Sequence, residues 1–263
     1  MALKQHKDER VRFDQQVENS RDYVLPFIEQ TKKMGPGIQV LEVGCAEGGV
    51  LKPFIDKGCS CVGVDLAAFR VELAKGFLKE EVETGKATFL AQNIYEDAFV
   101  SKYKNHFDVI ILKDVIEHVP EQEKFVPHLK TLLKEGGIIF FGFPPWYMPF
   151  GGHQQIAENK LASMMPYYHI LPKAWYRGIL KAFKESDGVM QELSEIWDTQ
   201  ITIERFEKII HDSKLLVFNK QHYLINPIYK FKFGLKPRKQ LPLLTAIPYF
   251  RNFVTTCVYY TVG

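Results

Sequence analysis

The chain has 263 residues, 46% of them hydrophobic, enough for one large α/β domain with insertions and a sizeable core. Its most apolar window, 138–152, is too short to cross a bilayer and is broken by Pro144, Pro145 and Pro149, so no spanning helix is expected. The net charge of +3 conceals an uneven distribution: residues 214–263 hold eight Lys and Arg and no Asp or Glu, which directs any anionic partner to that end of the chain.

An opening helix is expected over 8–33, where Phe13, Val17, Val24, Phe27 and Ile28 recur at helical spacing and Met34-Gly35-Pro36-Gly37 ends the run. Strands and helices then alternate: a strand at 38–43, a helix at 49–57, a strand at 60–65, a helix at 67–83 and a strand at 87–91. A strand at 107–112 follows, then a helix at 121–134 with Phe125, Leu129, Leu132 and Leu133 on one face, Gly136-Gly137 as its stop, and a fifth strand at 138–143. Such alternation implies a parallel sheet with helices on both faces. Residues 144–200, rich in Pro, Trp, Tyr and Met without a clear period, read as an insertion. A helix at 202–213 resumes the pattern, a strand follows at 215–225, and a basic, proline-bearing stretch at 226–250 precedes a last strand at 253–262. The expected architecture is one domain over 1–263 with a doubly wound, mostly parallel, seven-stranded α/β sheet. Its parts are an N-terminal helical cap (1–37), a ligand-binding core (38–143), a substrate or lid insertion (144–200) and the rest of the sheet with the basic stretch (201–263). Cysteines 45, 59, 61 and 257 make neither a zinc pattern nor a disulfide framework, and residues 1–10 are charged rather than signal-like, so a cytoplasmic protein is expected.

The most informative stretch is Val40-Leu41-Glu42-Val43-Gly44-Cys45-Ala46-Glu47-Gly48-Gly49, where an apolar strand ends in an acid and breaks into a glycine loop. Gly44 and Gly48 allow backbone angles and close approaches that a side chain would block. The helix expected behind them would turn its N-terminus on a ligand, where free N–H groups and the dipole favour an anionic group. The spacing Gly44-x-Ala46-x-x-Gly49, with Asp65 about 20 residues on, also fits the dinucleotide fingerprint. Glu42 bears on the choice, because a carboxylate there repels a pyrophosphate and attracts an ammonium or a sulfonium. S-adenosylmethionine (SAM) carries both cations and one carboxylate for the helix end, so the charge pattern suits it better than NAD.

Four motifs stand in order: VLEVGCAEGG at 40–49, VGVDLA at 62–67, AQNIYED at 91–97 and FDVIILKDVIEHVP at 107–120. With them the chain resembles the class I SAM-dependent methyltransferases, particularly the branch of ubiquinone-biosynthesis and other small-molecule methyltransferases. The resemblance covers 38–143 and resumes in the 202–213 helix and the final strands. It implies that Glu42, Gly44, Cys45, Ala46 and Gly48 wrap the methionine moiety of SAM, although the family has Gly more often than Ala at position 46. It also implies that Asp65 takes both ribose hydroxyls, with Leu66 beside the adenine. Where the family often has Asp near the adenine amino group this chain has Asn93, whose amide oxygen can still accept that bond, with Ile94 next to it. Lys113 is expected to run its backbone past the cofactor, with Glu117 and His118 within one turn.

Methyl transfer from a sulfonium is a direct displacement that leaves S-adenosylhomocysteine and requires no metal, so the protein mainly aligns the reactants and excludes water. A hydroxyl acceptor needs a base as well. His153, in Gly151-Gly152-His153-Gln154 after the fifth strand, is the first candidate for base or acceptor contact, and it reads equally as a surface-turn histidine. His118 is the second candidate, and it reads also as a polar group fixing its loop. Trp146, Tyr147, Met148, Phe150, Tyr168, Trp175 and Tyr176 are either a lid over an apolar acceptor or a local core. The expected activity is SAM-dependent methylation of a small or lipid-like acceptor, most often at oxygen in the families the chain resembles. Two alternatives stay open: an NAD-dependent dehydrogenase, and a non-catalytic SAM-fold module whose basic C-terminal face touches anionic membrane lipid. No nucleic-acid partner is expected, because the basic residues cluster after the sheet rather than beside the cofactor loop.

Overall fold

The computed structural model describes residues 8–263; residues 1–7, most of the charged N-terminus, lie outside the described residues. The strands are β1 (Gln39–Val43), β2 (Ser60–Asp65), β3 (Ala87–Ala91), β4 (Phe107–Lys113), β5 (Leu133–Phe143), β6 (Val217–Ile225), β7 (Arg238–Lys239) and β8 (Cys257–Val262). They form one sheet in the order β3-β2-β1-β4-β5-β8-β6-β7. β1 to β5 pair in parallel, while β8 runs antiparallel to both β5 and β6, so β6 shares the parallel direction. The expectation of seven strands is corrected to eight. The basic stretch folds back so that β7 pairs antiparallel with β6 at Tyr223 and Ile225, covering part of an edge that would otherwise be open.

Side chains alternate across the sheet and feed two cores. Leu41, Val62, Ile110, Leu112 and Tyr260 enter one core, under the helices Asp97–Tyr103, Gln122–Leu132 and Ile203–Asp212. Val40, Cys61, Val109, Ile111 and Tyr259 enter the other, under the N-terminal helix and the helices Lys52–Asp56 and Ala68–Phe77. Glu42 lies on the second side, in step with Val40.

The N-terminal helix starts at Glu9, capped by Asp8, which accepts from the Val11 N–H at 3.1 Å. It widens into a π-turn at Ser20–Val24 and continues as Leu25–Ile28. Pro26 explains the widening: it has no N–H, and its ring crowds the carbonyl one turn back. The helix expected at 67–83 is split, since Leu78 (φ −116°, ψ 38°) leaves helical geometry and separates Ala68–Phe77 from Lys79–Glu83. The short helix Asp97–Tyr103 was not anticipated.

Residues 144–200 are more regular than their sequence suggests. They hold the helices Lys160–Met164, Lys173–Ala182 and Asp187–Thr199, and Tyr168, Tyr176, Leu180 and Leu193 form a third, local core. Among the described residues no helix is long and apolar enough to cross a membrane.

Candidate functional site

Glu42, Asp65, Lys113 and Phe143 sit at the carboxyl ends of β1, β2, β4 and β5, the rim where an open α/β sheet makes its ligand crevice. The glycine loop is strapped to the end of β2. The Gly44 and Cys45 N–H groups donate to the Val64 carbonyl at 2.8 and 2.9 Å, and the Ala46 N–H donates to Asp65 Oδ2 at 2.9 Å. At Gly44 (φ +70°) a Cβ would come within 2.6 Å of Val115 Cγ2, and at Gly48 (φ +80°) within 2.9 Å of Phe89, so both positions require glycine. Ala46 also has a positive φ of 46°, a conformation that glycine adopts more readily.

Glu42 is 2% exposed, and its Oε2 has no hydrogen-bond partner among the described residues. Burial, then Asp65 and Glu47, push its carboxyl well above the ordinary value, with Lys113 opposing them. A buried acceptor without a donor, at the edge of a crevice, is a socket for a cationic group.

Two residues outside any sequence motif, Arg12 and Gln16, complete the loop's surroundings. Arg12 pairs with the buried Glu47, Gln16 Nε2 donates to Glu47 Oε2 at 3.3 Å, and Gln16 Oε1 accepts from the Gly49 N–H at 3.2 Å. The free N–H expected at the start of a 49–57 helix is therefore taken at Gly49. The helix itself begins only at Lys52, with Pro53 in its first turn, so the expectation of a helix end facing the ligand is corrected.

Gly44, Asp65, Leu66, Asn93, Ile94 and His118 line a cavity of about 510 Å³, together with Val43, Tyr95, Val115 and Phe125. That volume is in the range of small-molecule and cofactor sites. Asp65 accepts from the Ala67 and Ala46 N–H groups at 2.9 Å through Oδ1 and Oδ2, and each oxygen keeps a lone pair for a hydroxyl. Asn93 Oδ1 accepts from the Tyr95 N–H at 3.0 Å, so the oxygen expected to meet the adenine amino group is shared with the backbone. Glu42, Cys45, Ala46, Gly48 and Lys113 lie outside the lining of this cavity. Cys45 is buried, and burial first and Glu42 next push its thiol far up, which leaves its backbone as the part available to a ligand. The Lys113 ammonium lies 2.5 Å from Asp114 Oδ2 and 5.9 Å from the centre of the Tyr259 ring.

A second cavity of about 180 Å³ is lined by Asp114, Pro144, Met148, Phe150, His153, Gln155, Ile156, Asn226, Ile228, Tyr229, Lys232 and Phe233. His118 lines the first cavity and His153 the second, and their rings meet edge to face with centroids 4.8 Å apart. Behind them Glu117 is 2% exposed, has no hydrogen-bond partner for either oxygen among the described residues, and lies 3.8 Å from His153 Nε2. Burial and then Asp114 push Glu117 well above the ordinary carboxyl value, while burial and then His118 push His153 down to about 3. Ligand atoms of Glu117, His118 and His153 all lie within 4.8 Å of one another, a two-histidine, one-carboxylate set that could hold a divalent cation. No sequence spacing announces this set, because His153 arrives from the far side of β5.

Of the aromatic candidates, Trp146, Tyr168 and Tyr176 are buried and Trp175 points to solvent, while Met148 and Phe150 reach the second cavity. Trp146, Tyr168 and Tyr176 are therefore interior packing rather than lid. The basic C-terminal stretch is also partly neutralised: Lys220 pairs with Glu207 at 3.2 Å, Lys230 with Asp22 at 2.9 Å, and Arg251 with Glu204 and Glu207 at 2.8 and 2.7 Å. A larger cavity of about 860 Å³, around Lys32, Gly136, Gly137 and Gly263, lies at the opposite end of β5 from the crevice.

The sequence is 29% identical over 116 residues to the ubiquinone biosynthesis O-methyltransferase of Leptothrix cholodnii, a match taking in 44% of this chain and 48% of that protein. The chain spans about half the length of the curated relatives it matches. Its fold is similar to that of geranyl diphosphate C-methyltransferase from Streptomyces coelicolor A3(2), with a TM-score of 0.56, 14% identity, and coverage of 90% of this chain and 77% of that one. It is also similar to that of the [4+2]-cyclase SpnF, with a TM-score of 0.53, 11% identity, and coverage of 92% and 79%. At such identities these two likenesses show the fold alone. The methyltransferase domain family matches residues 14–167, more than half of the sequence, and the chain belongs to that family.

Proposed function

We propose that the chain is a SAM-dependent methyltransferase that methylates a small or lipid-like acceptor at oxygen. The observation that carries this reading is the meeting of two cavities at His118 and His153, one of cofactor size and one of about 180 Å³. The residues present fit SAM: Glu42 offers a buried, unpartnered carboxyl to an ammonium, and Gly44 leaves a cradle that a Cβ would fill. Asp65 has lone pairs for the ribose hydroxyls, and Leu66, Asn93 and Ile94 line the same cavity, which supports an adenine there. When bound, SAM supplies an electrophilic methyl group on a sulfonium. Family membership sets aside the dinucleotide reading of the glycine spacing.

His153 is the proposed base. Burial keeps its imidazole unprotonated at neutral pH, so a ring nitrogen is free to take the proton from an acceptor hydroxyl, with Glu117 3.8 Å from Nε2. Met148, Phe150 and Ile156 exclude water from the same cavity. Its volume suits one ring or a small polar head, with any longer part of the acceptor lying at the mouth beside Phe233. A base is needed for a hydroxyl and not for an activated carbon, which favours oxygen, as does the O-methyltransferase name of the relative. The one-domain division given above belongs to the same reading, as does a reducing cytoplasm, which four free, buried cysteines suit.

Calorimetry with S-adenosylhomocysteine and with NADH tests the cofactor, and binding of NADH alone would overturn the proposal. For the base, His153→Asn is expected to lower kcat by about 10²- to 10⁴-fold while leaving S-adenosylhomocysteine affinity unchanged. Unchanged turnover removes His153 from the chemistry. The clustering of Glu117, His118 and His153 favours a second use of these side chains, as ligands of a cation that polarises the acceptor oxygen. Activity abolished by a chelator and restored by a divalent metal would replace the base reading with that one.

A further inference from the structure

The segment from Gln240 to Arg251 is fixed at both ends and bare between them. Gln240 is buried; its backbone N–H donates to the His222 carbonyl at 2.9 Å, and its side chain bonds to the Val254 carbonyl and accepts from the Leu241 N–H at 2.8 Å. At the other end the buried Arg251 and Asn252 donate to Glu204 at 2.8 and 2.6 Å, and the Tyr249 N–H also donates to Glu204, at 2.8 Å. Between these anchors Leu241, Leu243, Ile247, Tyr249 and Phe250 are 43 to 78% exposed. Hydrogen bonds from three buried side chains at the base, Gln240, Arg251 and Asn252, thus hold an apolar tip in water, which the stability of the folded chain does not itself favour. Lys236, Arg238 and Lys239 flank the tip; they are exposed, have no ion pair among the described residues, and belong to a stretch without a single acidic residue.

We infer that this loop is a docking surface for an anionic phospholipid bilayer, with the apolar tip entering the interface and the three cations on lipid phosphates. Unpaired cations beside exposed aliphatic and aromatic side chains are complementary to such an interface and to little else of one chemical class. In sequence the loop and its cations lie between Phe233, which is 44% exposed and lines the smaller cavity, and Phe253, whose ring stacks on Tyr147 at 5.1 Å. Docking would hold the basic stretch that follows Phe233 at the bilayer and bring the cavity that Phe233 lines near it, from which an apolar acceptor can enter. That last step rests on the methyl-transfer reading, whereas docking rests on exposure and charge.

The test is sedimentation of the full chain with vesicles of phosphatidylcholine alone and of phosphatidylcholine mixed with phosphatidylglycerol. Pelleting is expected with the anionic vesicles at low salt and release at high salt, where screening shortens the reach of the charges. The triple variant Lys236→Gln, Arg238→Gln, Lys239→Gln is expected to lower partition on the order of a hundredfold, at about fivefold per cation. Leu243→Asp is expected to weaken it as well, with circular dichroism and S-adenosylhomocysteine binding unchanged in both variants. A chain that stays in the supernatant with anionic vesicles at low salt overturns the inference, as do variants that bind like the parent. A lipid-free dimer dispersed by Leu243→Asp would assign the loop to a second copy instead. Failure to bind vesicles with intact S-adenosylhomocysteine binding removes docking alone, and the reverse result removes the methyl-transfer reading alone.

Discussion

Glu42→Gln is expected to stabilise the ligand-free protein and to weaken its grip on SAM. Glu42 is 2% exposed, close to Asp65 and Glu47, with one oxygen that no group in the described residues satisfies. Burial and those two carboxylates raise its pKa well above 4.5, so the folded chain keeps a proton that the unfolded chain releases near pH 4.5. Its contribution to stability is fully present below that pH and is lost as pH rises through the raised folded value. Glutamine removes the titration and the buried charge while keeping the shape. The gain follows from the lost titration, about 1.4 kcal/mol for each pH unit between 4.5 and the raised folded value, and each kcal/mol raises Tm by about 2–4 °C for a chain of this size. The same change removes a charge-assisted hydrogen bond to the methionine ammonium, worth about 1.5–3 kcal/mol, or roughly ten- to a hundredfold in Kd. Thermal unfolding at pH 6 and pH 8, with and without S-adenosylhomocysteine, reads both effects, and calorimetry gives the affinity. The variant should melt higher, lose stability less steeply with rising pH, and gain less from the ligand. A variant that melts lower than the parent at pH 8, or that binds S-adenosylhomocysteine equally well, would refute the assignment of Glu42 as a cation socket.

Asp65→Ala removes the acceptor of two backbone N–H bonds as well as the proposed ribose partner. Affinity for S-adenosylhomocysteine should fall about a hundredfold by calorimetry while circular dichroism stays that of a folded chain; a change within threefold would remove Asp65 from the site. His169 is fully buried between the Trp146 carbonyl, 2.7 Å from Nε2, and the Gln154 amide, 2.6 Å from Nδ1, and burial lowers it to about 4 despite Trp146. The unfolded chain takes up a proton near pH 6.5 that the folded chain refuses until about pH 4, so stability is lost as pH falls through that window. His169→Gln should flatten the slope of urea-unfolding stability there by up to about 1.4 kcal/mol per pH unit, and an unchanged slope would show that His169 does not titrate as its burial implies.

Much of the fold and of the cofactor rim was legible because local chemistry marks it. β2 ends at Asp65 and β3 at Ala91, as read, since a continuous apolar run stops at a polar or turn-forming residue in each. The helix Asp97–Tyr103 escaped because seven residues show only one pair of buried positions, Phe99 and Tyr103. The insertion helices escaped for a similar reason: the inward Tyr176 and Leu180 are interleaved with the exposed Trp175, which blurs the period. The site was half legible. Gly44, Asp65, Leu66, Asn93 and Ile94 came with their motifs, whereas Arg12, Gln16, Tyr229 and Lys232 reach the crevice or its loop through packing over long separations and carry no local signature. The charge of the C-terminal stretch misled in part, because composition counts Lys220, Lys230 and Arg251 as free when acids elsewhere in the chain engage them.

The contact between Arg12 and Glu47 bears on where this molecule can be cut. The family match begins at residue 14, and the alternation of strands begins later still, at Gln39. A recombinant fragment trimmed to either boundary would lose Arg12 and leave Glu47, 1% exposed, without its counter-charge. Removing one partner of a buried ion pair costs about 3–5 kcal/mol, and here the cost would fall on the turn that Gly44 and Gly48 shape. The first helix is thus structurally part of the glycine loop at the crevice rim, and a fragment that keeps that loop intact must start before it.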